Sequence, residues 1–422
     1  TVGFRDTLLM RGDSTANVNI NCNSGSCVGV DIMNTLSAST GTASIVSEIS
    51  GSCPAGACSG VRIGEEAIFV VASANVSLVG FAPNADVCVD CIGVNMLEAA
   101  FSGDAATPFD VSISGEGTTG VSLGASEFNT EAIRLSIDGT SGVQSSETLS
   151  EGFGFGVDLG STSFNSESLS VSGSSRNNLD VTMNGASFNF ASLGNVCELT
   201  LASDAVNGQN TINIRSPAPT IGANCAMIIQ GRLANDILQG LSLDVPSITF
   251  SSGISSQGES GIRITGILNV AGEICGPFRA SELNIEGAII SNCTRANGDT
   301  SSFLDLSANG DGESINLAGT LQASNSDLSI DAEIVDISTL SIDGTLNVLD
   351  IAAAQLSGTS SGFANIVADG DITLTGRGVS GTITEAADTS LQLSFESLQG
   401  VITLADSIEA PSTDIRLIGD AF

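Results

Sequence analysis

The feature that most limits the possible folds of this chain is a repeated phrase, Gly-Val-x-aliphatic. It recurs at intervals of 27 to 36 residues through the first half of the sequence. A repeat of this period is typical of stacked structural units in which each unit covers the apolar face of its neighbour. The five copies begin at Gly29, Gly60, Gly93, Gly120 and Gly156.

Four of the five repeats also contain a phenylalanine and a second alternating segment, such as Val111-Ser112-Ile113-Ser114-Gly115. Apolar residues at every second position predict strands with one face inward and one face in water. Gly, Ser, Asn and Asp between the apolar runs predict turns. The phenylalanines follow the repeated glycine at a nearly constant distance, so we expect them to form an internal ladder. They are Phe69, Phe101, Phe128 and Phe164.

These patterns predict an all-β fold, a three-faced parallel β-helix (β-solenoid) of about 14 to 17 coils. In such a fold each strand lies ~4.8 Å above the equivalent strand of the preceding coil. We expect coils with cysteine loops and then regular coils over residues 1–190, irregular or decorated coils over 191–300, and regular coils again over 301–422, all in one continuous solenoid. Residues 347–355 are the segment in which the sequence allows a short helix.

Composition excludes several classes of function. The 422 residues carry a formal net charge of −35, and Arg provides all 12 basic residues. Nucleic acid binding requires clustered Lys and Arg, so no nucleic acid partner is expected. No apolar run is long enough for a membrane span. Because the chain begins at Thr1 and not at Met, we expect a processed, secreted protein that is extracellular or on the cell surface.

The ten cysteines form five pairs that are close in sequence. We favour disulfides within each pair, which would place the protein in an oxidising compartment. A ladder that joins Cys27 to Cys58, or Cys22 to Cys53, is the alternative, because stacked positions lie within disulfide reach. Zinc is a third reading, since Cys88 and Cys91 have ligand spacing. The pairs are Cys22/Cys27, Cys53/Cys58, Cys88/Cys91, Cys197/Cys225 and Cys275/Cys293.

A resemblance follows from these residues. The stacked Gly-Val phrases resemble the coils of right-handed parallel β-helix proteins, broadly the pectin-lyase-like architecture. The C-terminal third, with Gly370-Asp371-Ile372-Thr373-Leu374-Thr375-Gly376, is similar to filamentous-haemagglutinin-type secreted exoproteins. The resemblance implies a secreted fibrous or adhesive protein. The pattern itself leaves the handedness of the solenoid open.

The composition lacks most of the residue types that commonly carry out catalysis. The sequence has no His, Lys or Tyr, so triads based on His are impossible and acid–base work would fall to carboxylates or to an unusual Arg. A pair of carboxylates can hydrolyse a glycoside, but the acidic residues show no convergence in the sequence. We therefore expect no catalytic residues and predict that the protein is not an enzyme.

We expect no cofactor, with calcium as the one candidate ion. Two turns place carboxylate and amide oxygens at alternate positions, as calcium sites do. An ordinary Asx-rich turn explains the same residues. The candidates are Asn309, Asp311, Glu313, Asp369 and Asp371.

The leading functional prediction is a structural subunit of an extracellular filament, sheath or surface layer. Solenoid ends expose strand edges, which must be capped or bonded to another subunit. We therefore expect a head-to-tail homopolymer. A secreted adhesin that binds surface carbohydrate or a host is the alternative, and a polysaccharide-active enzyme is the third reading. The residues expected at the assembling ends are Thr1, Val2, Phe4, Ile415, Leu417, Ile418 and Phe422.

Overall fold

The structure is a computed structural model in which part of the chain is described. The described residues are 2–4, 8–22, 26–51, 53–64, 67–71, 74–82, 88–102, 109–129, 133–142, 155–166, 168–175, 181–184, 187–190, 198–203, 211–215, 220–223, 227–230, 232–235, 241–244, 246–250, 253–256, 261–294, 300–308, 313–357, 364–368, 372–376, 382–385, 392–397, 402–404, 407–409 and 414–418.

The chain divides into two compact units, Thr1–Ala234 and Asn235–Phe422. Within the described residues every regular element is a strand. The strands of the first unit are β1 (Val2–Phe4), β2 (Leu8–Met10), β3 (Ser14–Cys22), β4 (Cys27–Ile32), β5 (Leu36–Ala38), β6 (Gly41–Gly51), β7 (Cys53–Ile63), β8 (Ile68–Val71), β9 (Ala74–Phe81), β10 (Cys88–Leu97), β11 (Ala100–Ser102), β12 (Phe109–Gly117), β13 (Thr119–Gly124), β14 (Glu127–Asn129), β15 (Ile133–Ser141), β16 (Val157–Asp158), β17 (Ser163–Asn165), β18 (Ser168–Ser175), β19 (Val181–Asn184), β20 (Ser187–Phe190), β21 (Glu198–Ser203), β22 (Thr211–Arg215), β23 (Thr220–Ala223) and β24 (Met227–Gln230).

The boundary between the units falls within β25 (Arg232–Asn235). The strands of the second unit are β26 (Leu241–Asp244), β27 (Ser247–Phe250), β28 (Gly253–Ser256), β29 (Ile262–Ile264), β30 (Ile267–Ala280), β31 (Glu282–Ile290), β32 (Asn292–Thr294), β33 (Thr300–Ala308), β34 (Ser314–Ser357), β35 (Ala364–Ala368), β36 (Ile372–Gly376), β37 (Thr382–Glu385), β38 (Gln392–Ser397), β39 (Ile402–Leu404), β40 (Ser407–Glu409) and β41 (Asp414–Ile418).

In the first unit, three strands make one coil. Each strand pairs in parallel with the strand three positions further along the chain, so that β1, β4 and β7 follow one another in the first sheet, β2, β5 and β8 in the second, and β3, β6 and β9 in the third. The valines of the Gly-Val phrase fall in one column, with Val30 opposite Val61 and Val61 opposite Val94. The predicted all-β parallel solenoid is thus confirmed.

The phenylalanine ladder is also confirmed. Phe69, Phe101, Phe128 and Phe164 are each at most 1 % exposed and occupy one column of the second sheet. Their rings stack with centroid distances of 4.1, 4.7 and 5.4 Å. Such spacing gives offset aromatic contacts in addition to the burial of apolar area. The ladder is a continuous part of the main core, which runs between the three sheets.

Two columns of glycine face each other where the first sheet meets the third. Gly60, Gly93 and Gly120 lie in the first sheet, and Gly80 and Gly115 lie in the third. A β-carbon on Gly93 would lie 2.3 Å from the backbone nitrogen of Glu116, so only glycine permits this approach of the two backbones. β12 continues through Gly115 to Gly117 without a break.

Beyond the glycine columns, the first unit has a second, smaller core. It consists of Cys22, Ile49, Cys58, Ala82 and Cys91, all buried, with Cys27 packed against them. The cysteines stack because they precede the Gly-Val phrase by a constant distance in successive coils. Cys58 therefore pairs in register with Cys27 on one side and with Cys91 on the other.

The second unit is also built of parallel pairs, with longer continuous strands. β34 runs without interruption from Ser314 to Ser357, pairing first with β31 and then with β33, so it winds past more than one coil position. The short helix that the sequence allows over residues 347–355 does not form, because these residues belong to β34 and alternate ones such as Leu349, Ile351 and Ala353 are buried. One short antiparallel pair, β32 with β33, interrupts the pattern.

Candidate functional site

The strands of the first coil have a partner on one side only. Among the described residues, β1, β2 and β3 each pair with a strand of the second coil and with no other. In a parallel ladder, a strand at the edge leaves half of its backbone donors and acceptors without a strand partner. The nine residues of β3 form the longest of these three edges.

Several inward side chains of this first coil are only half-buried, although Met10 and Cys22 are buried. Leu8 is half-buried in β2, whereas Leu36, its partner in β5, is 0 % exposed. Ile20 is half-buried in β3, whereas Ile49, its partner in β6, is 4 % exposed. The core is therefore complete one coil further in and incomplete at this edge. A strand laid against the first coil would bury these side chains.

The last coil has the same one-sided pairing. Within the described residues, β39, β40 and β41 pair only with β36, β37 and β38. Of the residues expected at the ends, Val2 and Phe4 lie on β1, and Ile415, Leu417 and Ile418 lie on β41. Their side chains, together with Thr1 and Phe422, fall outside the described part.

The cysteines whose side chains are described are in disulfides. Cys22 is bonded to Cys27 with a Cα–Cα distance of 6.3 Å, and Cys275 is bonded to Cys293 with a Cα–Cα distance of 6.0 Å. The favoured pairing is therefore confirmed for these two pairs, and the alternative bonds from Cys27 to Cys58 and from Cys22 to Cys53 are wrong. Cys58 and Cys91 are each part of a disulfide as well. Cys91 therefore has no thiolate with which to bind zinc. The side chains outside the described part are those of Cys53, Cys88, Cys197 and Cys225.

Of the five calcium candidates, Glu313 alone lies in the described part of the chain. Glu313 is half-buried directly before β34, and it lines a cavity with Arg263 and Arg279. Two guanidinium groups beside this carboxylate make the position unfavourable for a cation. Among the described residues, the only group with metal-ligand spacing is Cys22, Cys27 and Cys58, whose sulfurs are in disulfides. The remaining candidates, which lie outside the described residues, are Asn309, Asp311, Asp369 and Asp371.

On the outer face of the first sheet, Asp31 and Arg62 form an ion pair between adjacent coils. The Arg62 guanidinium donates to both carboxylate oxygens of Asp31, at 2.9 Å and 2.6 Å. The hydrogen bond with Asp31 raises the pKa of Arg62 above its ordinary value, although partial burial acts in the opposite direction. The Asp31 side chain is 7 % exposed and that of Arg62 is 39 % exposed. The carboxylate is therefore buried, and the guanidinium group is partly in contact with solvent.

A second ion pair follows the same rule on the third sheet. Arg134 Nε lies 2.9 Å from Asp110 Oδ1, and the two residues are register partners in β15 and β12. Both side chains are about half exposed, 51 % for Arg134 and 54 % for Asp110. In each pair an arginine of one coil lies on an aspartate of the preceding coil.

The second unit has a cavity of about 150 Å³ at the end of β29 and β30. Arg263 and Arg279 are register partners on these strands, and both are exposed. The cavity brings their side chains together with two hydroxyl groups and one carboxylate. Its lining residues are Arg263, Ile264, Thr265, Arg279, Ala280, Ser281 and Glu313.

Sequence reasoning missed the arginine cavity, although a signal for it exists. Each arginine lies between two inward apolar residues, in Ile262-Arg263-Ile264 and in Phe278-Arg279-Ala280. The two segments lie in one column only because of the register of β29 on β30. The irregular spacing of the sequence in this region does not predict that register.

Comparisons with protein-family models, with characterised proteins and with solved structures give no match. The described residues include no helix with the length and apolar character needed to cross a bilayer.

Proposed function

We propose that this protein is a structural subunit of an extracellular filament, sheath or surface layer, and that it assembles through the strands of its end coils. The observation that supports this proposal is the edge formed by β3, with backbone groups available along nine residues and half-buried side chains beneath them. Exposed strand edges pair readily with another chain unless they are blunted.

Stacking of a further coil on this edge would complete the core. Side chains such as Val18 and Ile20 are half-buried at the edge, and burying an aliphatic side chain fully contributes about 1.5–3 kcal/mol relative to exposure. The occupant we propose is a second copy of this chain, contributing its last coil, whose strands β39, β40 and β41 also have one pairing side. A heterologous contact of this kind repeats and produces an open fibre.

Charge and disulfides fit an extracellular assembly. The net charge of −35 favours repulsion between the sides of neighbouring molecules, so growth through the ends would be preferred over lateral clumping. The disulfides Cys22–Cys27 and Cys275–Cys293 fit an oxidising compartment. The secreted β-helix and exoprotein resemblance belongs to the same proposal, and the protein would act by assembly and not by catalysis.

The test is a pair of lysine variants on β3. Val18→Lys places a charge at a half-buried position on the inward face of β3. Asn19→Lys places the same charge at the neighbouring, exposed position. We expect Val18→Lys to abolish concentration-dependent assembly in sedimentation velocity and electron microscopy, while Asn19→Lys assembles like the unmodified chain. Circular dichroism verifies that both variants retain the strand signal.

Three outcomes count against the proposal. The unmodified chain stays as discrete particles at all concentrations, both variants assemble equally well, or both lose assembly equally. Discrete particles that bind immobilised carbohydrate would favour the adhesin over the filament subunit.

A further inference from the structure

Arg263 and Arg279 lie on strands whose inward side chains are buried in the core of the second unit. Their flanking residues, Ile262, Ile264 and Phe278, are at most 2 % exposed, so the strand positions beneath the two arginines are fixed by the core. Register partners on adjacent parallel strands lie ~4.8 Å apart. The two guanidinium groups therefore leave the sheet from neighbouring positions on one face.

This placement of two like charges differs from the arrangement in the two described ion pairs. Arg62 lies on Asp31, and Arg134 lies on Asp110, so each of these arginines is neutralised by the adjacent coil. Within the described residues, no salt bridge to Arg263 or Arg279 is present. Their column continues with Ser242 on one side and Ser307 on the other, both uncharged. Like charges directly opposite each other on a sheet are destabilising.

The cavity beside the arginines adds complementary polar groups. Thr265 and Ser281 present hydroxyl groups, and Glu313 presents a carboxylate, around a space of about 150 Å³. Two guanidinium charges and one carboxylate leave a net charge of +1 for these lining groups. A concave site with a few convergent polar groups is where a small ligand binds.

We propose that this cavity binds a small hydroxylated ligand that carries one oxyanion, as a sugar acid or a sulfated sugar does. The oxyanion lies between Arg263 and Arg279, because guanidinium groups match the planar geometry of a carboxylate or sulfate and bind it through paired hydrogen bonds. The ligand hydroxyls donate to the Glu313 carboxylate and exchange hydrogen bonds with Thr265 and Ser281. This inference is independent of assembly through the end coils.

The test uses isothermal titration calorimetry on the whole chain with four probes: glucuronate, glucose 6-sulfate, acetate and glucose. We expect glucuronate and glucose 6-sulfate to bind, acetate to bind at least about tenfold more weakly, and glucose to show no binding. The first two probes distinguish a carboxylate from a sulfate as the preferred oxyanion. Equal binding of glucose and glucuronate, or no binding by any probe, overturns the proposal.

Variants locate the binding to this cavity. Arg263→Gln and Arg279→Gln each remove one cation, and we expect each to weaken glucuronate at least about tenfold. Arg134→Gln makes the same change at an exposed arginine elsewhere, and we expect it to change the affinity less than about twofold. Glu313→Gln is expected to weaken glucuronate more than acetate, since acetate has no hydroxyl for the carboxylate to bind.

Arg263 and Arg279 are exposed, so their variants should fold, which circular dichroism verifies. An equal loss of affinity in Arg134→Gln and Arg263→Gln would show that net charge, and not this cavity, determines binding. That result, or unchanged affinity in both cavity variants, would also overturn the proposal.

Discussion

Gly80 and Gly93 lie backbone to backbone where the third sheet meets the first: a β-carbon on Gly80 would be 2.0 Å from the carbonyl oxygen of Gly93. The contact repeats in the next coil, where a β-carbon on Gly115 would be 2.0 Å from the carbonyl oxygen of Gly120. No side chain fits at that distance. The repeated glycine is therefore required by the close approach of two sheets, and this approach separates the main core from the small cysteine core.

Replacing Gly115 by alanine should strongly destabilise the first unit. The new methyl group would meet backbone atoms, which cannot rotate away as a side chain can, and overpacking of a well-packed interior costs about 1–3 kcal/mol or more. Gly64→Ala is the matched control, because its nearest atom would be 3.7 Å away, an ordinary contact. Denaturant unfolding followed by circular dichroism measures both variants. A similar loss of unfolding free energy in the two would contradict the argument.

The phenylalanine ladder should respond to truncation at its centre. Phe128 is 0 % exposed and stacks on Phe101 and Phe164, so Phe128→Ala leaves a cavity and breaks two ring contacts. We expect a loss of about 3–5 kcal/mol in unfolding free energy. Phe81→Ala removes a ring that is 38 % exposed and should cost clearly less. Equal losses would mean that the ladder does not contribute through its packing.

The sequence was sufficient to predict the stacking of coils, and the reason lies in particular columns. Phe69 and Phe101, and Val61 and Val94, keep a constant place in each repeat, so period and alternation were enough to predict their register. The contact of Gly80 with Gly93 could not be predicted, because it depends on how closely two sheets approach. The pairing of Arg263 with Arg279 could not be predicted either, since the register of β29 on β30 follows from inward residues with no regular spacing.

The two ion pairs should differ in what their loss costs. Arg62→Gln leaves the Asp31 carboxylate, whose side chain is 7 % exposed, without its cation. An unsatisfied buried group of this kind costs about 1–3 kcal/mol or more. Arg134→Gln breaks a pair with both side chains about half exposed, and exposed pairs contribute about 0–1 kcal/mol. Thermal unfolding of the two variants compares them directly, and an equal or larger effect for Arg134→Gln would count against this reading.

The Arg62 contribution should not vary with pH in the neutral and mildly alkaline range. Asp31 raises the pKa of Arg62 in the folded chain above its value in the unfolded chain. A group with a raised pKa contributes stability that is fully present below its unfolded pKa and is lost as the pH rises through its folded pKa. The difference in unfolding free energy between the unmodified chain and Arg62→Gln should therefore be constant from about pH 7 to pH 10. A difference in unfolding free energy that declines steadily across this range would contradict the raised pKa of Arg62.

The two described disulfides should stabilise the chain to different degrees. Cys275 and Cys293 are separated by 18 residues, and Cys22 and Cys27 by 5. If a crosslink acts by limiting the unfolded chain, the longer loop contributes about 3 kcal/mol and the shorter one about 2 kcal/mol. Double alanine variants of each pair, unfolded in denaturant, measure the two contributions. A larger loss for the Cys22 and Cys27 variant would mean that packing in the small cysteine core, which also holds Ile49, outweighs the effect on the unfolded chain.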